Sequence, residues 1–585
     1  MEFDRDNYSE AIAVSEQANQ LLSGLLAKVL AFASEEQRLA FESTMHPYTL
    51  LGAVTGAEAQ LAELVLHYKG IVLDSIIEDR SLADAEKTAD DRNLLAKLNN
   101  DKRELGQLLL QTPAGMRTEA NQRVEALEHE VAEIEGTLAQ HGARIGSVRR
   151  ALTVTVPQVQ AVIPQDAALI EYLEYLQYIG KGQFELRYGA GVLQPEGNLS
   201  WVPLGPADEI DRAVRRYQNL VRHAAEEEEV STNLDTLYQK LWAPIEKILA
   251  AKTRHVIISP DGQLNFVSIA TLLDPDKRFL AEKYRVQYVA SGRDLTREVN
   301  LTKSTDVVVV ANPDFRFRAS NASEKGDNSA SGPVLHPLAS NKNREIADLV
   351  FNPLPGTEKE GDALIQEFKQ WNWHVVSLLG ENATKEALST VESPYILHVA
   401  THGFFQPAEK PDPGNAEETM SIKPDVTRSK FFENPMHRSG LALAGAQSTV
   451  EAWKRGNTPL VENDGILTAE DVSALKLTGT WLATLSACDT GSGQAKSGEG
   501  VMGLRRGFIE AGVQNLLMTL WPINDETTVQ IVTDFYKAAH QSGNAPDALA
   551  QVQRDWLVRL RQEQGLARAV NLAGPFIMSS QGKPE

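Results

Sequence analysis

Two stretches of this chain join a strand-like apolar run to a glycine-bearing exit and a side chain capable of nucleophilic chemistry. Trp481 to Gly493 reads WLATLSACDTGSG. Trp481 to Leu485 has the length and composition of a buried strand, and Asp489 to Gly493 is rich in turn formers. Cys488 therefore stands at the mouth of a strand, and it is the single cysteine of the chain. Tyr395 to Phe405, YILHVATHGFF, delivers His402 and then Gly403 in the same way. Side chains at the carboxyl ends of parallel strands meet solvent and ligand, and a thiol and an imidazole on two such ends make a nucleophile and its base. Taken singly, a cysteine beside an apolar strand is more often an inert core residue, and a lone histidine is no more telling. The strand-to-glycine context shared by both is what makes them a candidate dyad. His398 falls inside its strand and is expected to hydrogen-bond within the sheet.

The chemistry such a dyad performs is acyl transfer. A thiol with a pKa of about 8.5 is mostly protonated at neutral pH, so it needs a base. His402 would take the thiol proton and return it to the leaving amine. The oxyanion formed on the way needs donors, and the backbone N–H groups of Gly403 and Cys488 are the natural pair, because glycine permits close backbone approach.

Composition bounds what surrounds the dyad. A chain of 585 residues that is 42% hydrophobic and 23% charged has material for several packed cores. A formal net charge of −22 argues against non-specific binding to nucleic acid or an anionic membrane. No long apolar run of transmembrane type occurs, and Met1 to Val14 is acidic where a signal peptide would be basic and then apolar, so a soluble, cytoplasmic protein is expected. One cysteine excludes an intramolecular disulfide and any multi-cysteine zinc site, and neither metal nor cofactor is expected.

Three regions must position the dyad. Residues 1–150 read as helical: Leu94, Leu95, Leu98, Leu105 and Leu108 to Leu110 form one apolar stripe, and after Pro113-Ala114-Gly115 come Val124, Leu127, Val131, Ile134 and Leu138. An antiparallel hairpin fits this pattern, with a coiled-coil dimer as the competing reading. Residues 151–300 switch to short β runs, Ala168 to Tyr172, Phe184 to Tyr188, Trp201 to Pro203, Arg254 to Ser259 and Leu280 to Ala290, an α/β unit with no cysteine. Residues 301–585 alternate strand and helix: Thr305 to Ala311, a helix from Pro355-Gly356-Thr357 with Thr357 as N-cap and Glu360 completing a capping box, His374 to Leu378, Thr384 to Val391, and the strand before His402. That order implies a parallel sheet with right-handed crossovers. Further on, Asn515 to Trp521 reads as a strand, and the tail from Gln581 as unstructured.

Arg318 to Pro333 reads as a mobile loop. Gln406 to Arg438, polar and proline-rich, nearly accounts for the excess of the His402–Cys488 separation over the spacing of about 50 residues in the caspase pattern, and a gate or substrate clamp there is as reasonable as an ordinary loop. Arg505 and Arg506 are substrate-contact candidates, although amphipathic spacing puts one of them on the surface.

The sequence also resembles a known family, the CHAT domain, a caspase-like group of cysteine peptidases often found beside tetratricopeptide repeats. The resemblance is carried by His398-Val399-Ala400-Thr401-His402-Gly403, Leu485-Ser486-Ala487-Cys488-Asp489-Thr490-Gly491, Gly498-Glu499-Gly500 and Leu520-Trp521-Pro522-Ile523-Asn524-Asp525, with Pro355-Gly356-Thr357-Glu358, Asp464-Gly465-Ile466-Leu467 and Lys69-Gly70-Ile71-Val72-Leu73 as further landmarks. It implies a caspase-like parallel-sheet sandwich behind an all-helical region, with residues 151–300 as a second, degenerate caspase-like unit. It further implies a separase- and caspase-like endopeptidase with His402 as base and Cys488 as nucleophile, acting on a protein or peptide and controlled by a partner bound to the helical region, in bacterial defence or cell death. In the caspase pattern the residue two before the nucleophile lines the specificity pocket; here that is Ser486, which is neutral. Asp464 and Asp489 are acidic candidates for a pocket that accepts Arg or Lys, against an ordinary role in turns and helix caps. A non-catalytic interaction protein of the same fold and a small-molecule amidase are the alternatives.

Overall fold

Apolar stripes at helical spacing bury one another when their helices pair, and the amino-terminal quarter of the chain is built this way. A computed structural model describes residues 8–45, 47–52, 57–86, 89–111, 117–144, 150–223, 225–318, 349–406, 434–455, 464–487, 494–496, 499–522 and 526–583. Its amino-terminal part carries helices Tyr8–Phe32, Glu35–Met45, Glu58–Tyr68, Ile71–Glu86, Ala89–Gln111 and Arg117–Arg144. The last two run antiparallel: Lys97 pairs with Glu130 and Glu104 with Arg123, so positions advancing along one helix meet positions receding along the other. Leu98, Ile134 and Leu138 are buried between them, with Leu94, Leu95 and Val131 alongside. The turn at 113–115 lies outside the described residues. No helix among the described residues is long and apolar enough to cross a membrane.

The rest is organised by one large sheet. Its strands are β1 (Ala167–Gly180), β2 (Gln183–Leu193), β3 (Ser200–Pro206), β4 (His255–Ser259), β5 (Arg285–Tyr288), β6 (Asp306–Pro313), β7 (His374–Gly380) and β8 (Ile396–Thr401). After the short β9 (Gly403–Phe405), β10 (Ser439–Ala442) and β11 (Ile466–Thr468) come β12 (Leu482–Ala487), β13 (Gln494–Lys496), β14 (Gly500–Met502), β15 (Asn515–Thr519) and β16 (Phe576–Ser580). Eleven of them form the sheet in the order β3-β2-β1-β4-β5-β16-β15-β12-β8-β6-β7. Pairing is parallel throughout except for the β1–β2–β3 meander and the β15–β16 pair. β6 and β8 are near-continuous apolar runs, the signature of strands covered on both faces. The fold is therefore α/β, a mostly parallel sheet sheathed by helices behind an all-helical amino-terminal region.

Several local expectations need correction. β16 was not foreseen, yet it lies fully buried between β5 and β15 and joins the two α/β halves into one sheet. The chain beyond it is pinned rather than loose, since the Gln581 N–H donates to Gln514 O (2.8 Å) and that of Gly582 to Asp294 O (3.0 Å). Of Leu280 to Ala290, only Arg285–Tyr288 is strand, because Leu280–Glu282 closes a 3-10 turn. The helix at 355 starts with Pro355 itself, whose fixed φ suits the first helical position. Thr357 is thus inside the helix, its hydroxyl donating to Leu354 O, and Glu360 is committed elsewhere.

The helical region is bonded to both halves of the sheet. Lys69 Nζ donates to Tyr172 O (2.7 Å), midway along β1, and to Ser259 O (2.8 Å) at the carboxyl end of β4, and burial pushes its pKa down to about 8. Arg293 reaches back to Leu66 O and, through Nε, to Asp74 Oδ2 (2.8 Å). Glu499, which precedes β14, accepts from the N–H groups of Val72 (3.1 Å) and Leu73 (3.4 Å), capping the first turn of Ile71–Glu86 where those donors lack helical partners.

Candidate active site

The two motifs that opened the sequence reading lie on neighbouring strands. β8 and β12 pair in parallel from Leu482 opposite Ile396 to Ala487 opposite Thr401. The last residues of the two strands are therefore side by side at the carboxyl edge. His402 follows Thr401 directly. Cys488 and Asp489 lie outside the described residues, as do residues 319–348 and 407–433, which hold most of the segment expected as a mobile loop and of the candidate gate.

His402 is held by three groups. Its Nε2 bonds to Asn352 O at 2.8 Å, and because a carbonyl can only accept, Nε2 carries the proton and Nδ1 is left as the basic nitrogen. The rings of Phe315 and Phe351 flank the imidazole at centroid distances of 5.1 and 5.7 Å. Burial among them lowers the His402 pKa, and the bond to Asn352 pulls the other way. The neutral, proton-accepting form thus persists to lower pH than in a free histidine. We expect His402, followed by NMR, to titrate with its midpoint below 6.5; a midpoint at or above that value would show that the burial does not survive in solution. The His402 carbonyl accepts from Ala442 N (2.9 Å), and Gly403 opens β9 against Leu441 of β10, which fixes the backbone on the far side of the histidine.

Beneath the strand ends runs a buried polar chain. Ser486 Oγ donates to Glu360 Oε2 (2.8 Å), whose other oxygen stands 3.3 Å from His398 Nε2. His398 Nδ1 bonds Tyr536 OH (3.1 Å), which donates to Thr484 Oγ1 (2.7 Å). Since the Tyr536 proton goes to Thr484, His398 Nδ1–H is the donor to Tyr536. His398 thus bonds to a helix lying over the sheet and not within the sheet, because alternate side chains of a strand leave its plane. Tyr536→Phe should strand two buried partners and lower stability by about 1–3 kcal/mol, read from urea unfolding; an unchanged midpoint would mean the chain is loosely formed.

The other candidates are placed as follows. Ser486 is half-buried and faces Glu360. Asp464 is wholly buried, accepts from Ile466 N (2.8 Å) and stands 3.9 Å from Lys385 Nζ, the geometry of a turn residue. Arg505 and Arg506 are both buried, which corrects the surface expectation for one of them. Arg506 meets Glu35 (2.6 Å), Glu510 (2.8 Å) and Glu499 (3.6 Å), while Arg505 reaches Asn265 Oδ1 (3.3 Å). Asn352, Phe315, Phe351, Glu360 and Tyr536 were not read as part of the site; only Asn352-Pro353, a turn-forming dipeptide, carried any signal.

A mostly parallel α/β sheet, with a histidine–glycine pair leaving one central strand and a second motif strand in register beside it, defines a caspase-like protein. The model of the CHAT domain matches residues 232–569, and the chain belongs to that family. Tetratricopeptide repeat protein 28 of Mus musculus is 24% identical over 360 residues, 60% of this chain and 13% of that protein. The Homo sapiens protein of the same name is 23% identical over the same length. The chain thus spans 13% of the length of these curated relatives. A crystal structure of the Saccharomyces cerevisiae separase–securin complex aligns over 98% of this chain and 40% of that one, with a TM-score of 0.42 and 8% identity. Another crystal structure of that complex covers 99% of this chain and 41% of the other, with a TM-score of 0.39 and 9% identity.

Proposed function

We propose that this chain is a cysteine endopeptidase in which Cys488 attacks the scissile carbonyl and His402 is the base. The observation that carries the reading is the register of β8 with β12. Adjacent strands lie about 4.8 Å apart, and Thr401 opposite Ala487 leaves the next residue of each strand to begin a loop at the same edge. Attack forms the S–C bond as the thiol proton passes to His402 Nδ1. Collapse of the tetrahedral intermediate breaks the C–N bond, and the amine leaves with that proton. Water, deprotonated by the same nitrogen, then hydrolyses the thioester. The N–H groups of Gly403 and Cys488 are the proposed oxyanion donors.

For specificity we favour a basic side chain before the scissile bond. Asp489, next to the nucleophile in sequence, is the acidic residue that supports this, whereas the Glu360 carboxyl behind Ser486 is shared with His398. Asp464, enclosed beside Lys385, supports this less than its sequence position suggested. Residues 151–300 fit a degenerate caspase-like unit, since Lys69 occupies the carboxyl end of β4 and the segment has no cysteine. Control by a protein partner on residues 1–150 is supported by the bonds of that region to Glu499. A cytoplasmic role in bacterial defence or cell death rests on the family resemblance. The test is a randomised peptide library incubated with the wild type and Cys488→Ala. Cleavage after Arg or Lys by the wild type alone is expected; cleavage by Cys488→Ala would remove the nucleophile, and a preference for Asp would remove the basic pocket.

A further inference from the structure

At the amino ends of β12 and β15, away from the strand ends that carry the catalytic motifs, lies a cavity of about 490 Å³. Ile77 to Leu82 of the helix Ile71–Glu86 form one wall, the connection Thr296 to Asn300 another, and the segments entering β12 and β15 the rest. The volume falls within the usual range for small-molecule sites.

The polar groups at this cavity distinguish it from an ordinary gap. Gln581 lines it at 6% exposure, and neither its Nε2 nor its Oε1 has a hydrogen-bond partner among the described residues. Gln514, bonded to Gln581 through the backbone, also lines it and has an unpartnered Oε1, and Arg297 contributes an unpartnered Nε–H. Buried carboxamides are costly to leave unmet. A carboxamide presents a donor and an acceptor side by side, and the edge of a nucleobase matches that pair in one plane, as glutamine does when it reads adenine. Ile77, Val299, Ile509 and Val513 supply apolar surface for the faces of a flat ring.

Charge selects against a phosphate. The arginines at the cavity are already engaged: Arg80 faces Glu510 at 3.8 Å, Arg150 faces Glu78 at 3.8 Å and Asp74 at 3.4 Å, and Arg297 pairs with Asp74 and Asp294. With these cations neutralised and Glu298 also at the rim, the field favours an uncharged ligand.

The geometry points to a binding site for a free nucleobase or uncharged nucleoside, held in plane by the Gln581 and Gln514 carboxamides. One wall is the helix whose first turn Glu499 caps, so a ligand here bears on the element that contacts the segment following Cys488.

The test is titration calorimetry of the full chain with adenosine, guanosine, cytidine, uridine and inosine at up to millimolar concentration, alongside their bases and 5′-monophosphates. We expect at least one base or nucleoside to bind saturably, with the matching monophosphate no tighter. Gln581→Leu should weaken that binding at least ten-fold. Val299→Trp, which fills the cavity from the connecting segment and leaves the sheet untouched, should abolish it and serves if Gln581→Leu does not fold. Absence of binding by every base and nucleoside, tighter binding of a monophosphate, or unchanged affinity in either folded variant would overturn the assignment. Because the readout is heat of binding, it is independent of whether Cys488 hydrolyses anything.

Discussion

His402→Ala should reduce peptide cleavage by about three orders of magnitude or more, and Cys488→Ala together with His402→Ala should be no worse than Cys488→Ala alone. Residues that work as one unit are strongly non-additive, because the first substitution already removes what the second would. The thiol without its base stays mostly protonated, and the leaving amine has no proton donor. kcat/KM on a cleaved library peptide checks this. A double variant losing the product of the two single effects would mean the two side chains act separately. The structural ground is the Nε2–H bond to Asn352 O, which leaves Nδ1 as the only nitrogen able to serve.

The second large effect is on stability. Arg506→Met should destabilise the fold by about 3–5 kcal/mol, the usual cost of removing one partner from a buried ion cluster. Arg506 is 1% exposed, and Glu35, Glu510 and Glu499 all point at it. Burial, with Glu35 nearby, already pushes the Glu510 pKa up to about 7. A carboxyl whose folded pKa is raised stabilises the fold at low pH and loses that contribution as pH rises through the folded value. Without the guanidinium Glu510 titrates higher still, and Glu35, which Arg506 helps to hold down at about 2, rises too, so the deficit of Arg506→Met should be smaller near pH 5 than near pH 8. Urea unfolding at the two values measures it; an equal deficit would mean that packing, and not charge, is what Arg506 supplies.

The parts of the fold legible in sequence were those with a local signal. Val307 to Val310 and, but for His398, Ile396 to Ala400 announce buried parallel strands by apolar composition, and His402-Gly403 announces a strand exit. The stripes at 94–98 and 131–138 announce the helix pair because helical spacing is itself the contact surface. What escaped was set by distant partners. Phe576–Ser580 gives no strand signal of its own, because its neighbour β5 lies at Arg285–Tyr288 and five residues cannot encode a partner so remote. The reading of Arg505 and Arg506 assumed that one side of their helix meets water, whereas Glu35 and Arg80 of the helical region close that side. Asn352 escaped because its contribution to the site is a backbone carbonyl, which no side-chain pattern records.

The late arrival of that remote strand shapes how the molecule must be made. Translation releases β5 with one margin bare, and the margin stays bare until Phe576 has left the ribosome and threaded between β5 and β15. Loop-closure entropy makes such a distant pairing slow. During the wait two half-sheets present open edges of the kind that recruit foreign strands. Biogenesis of this protein is thus a race between its own last strand and its neighbours, and a frameshift that spares every motif residue but scrambles Phe576–Ser580 would lose it.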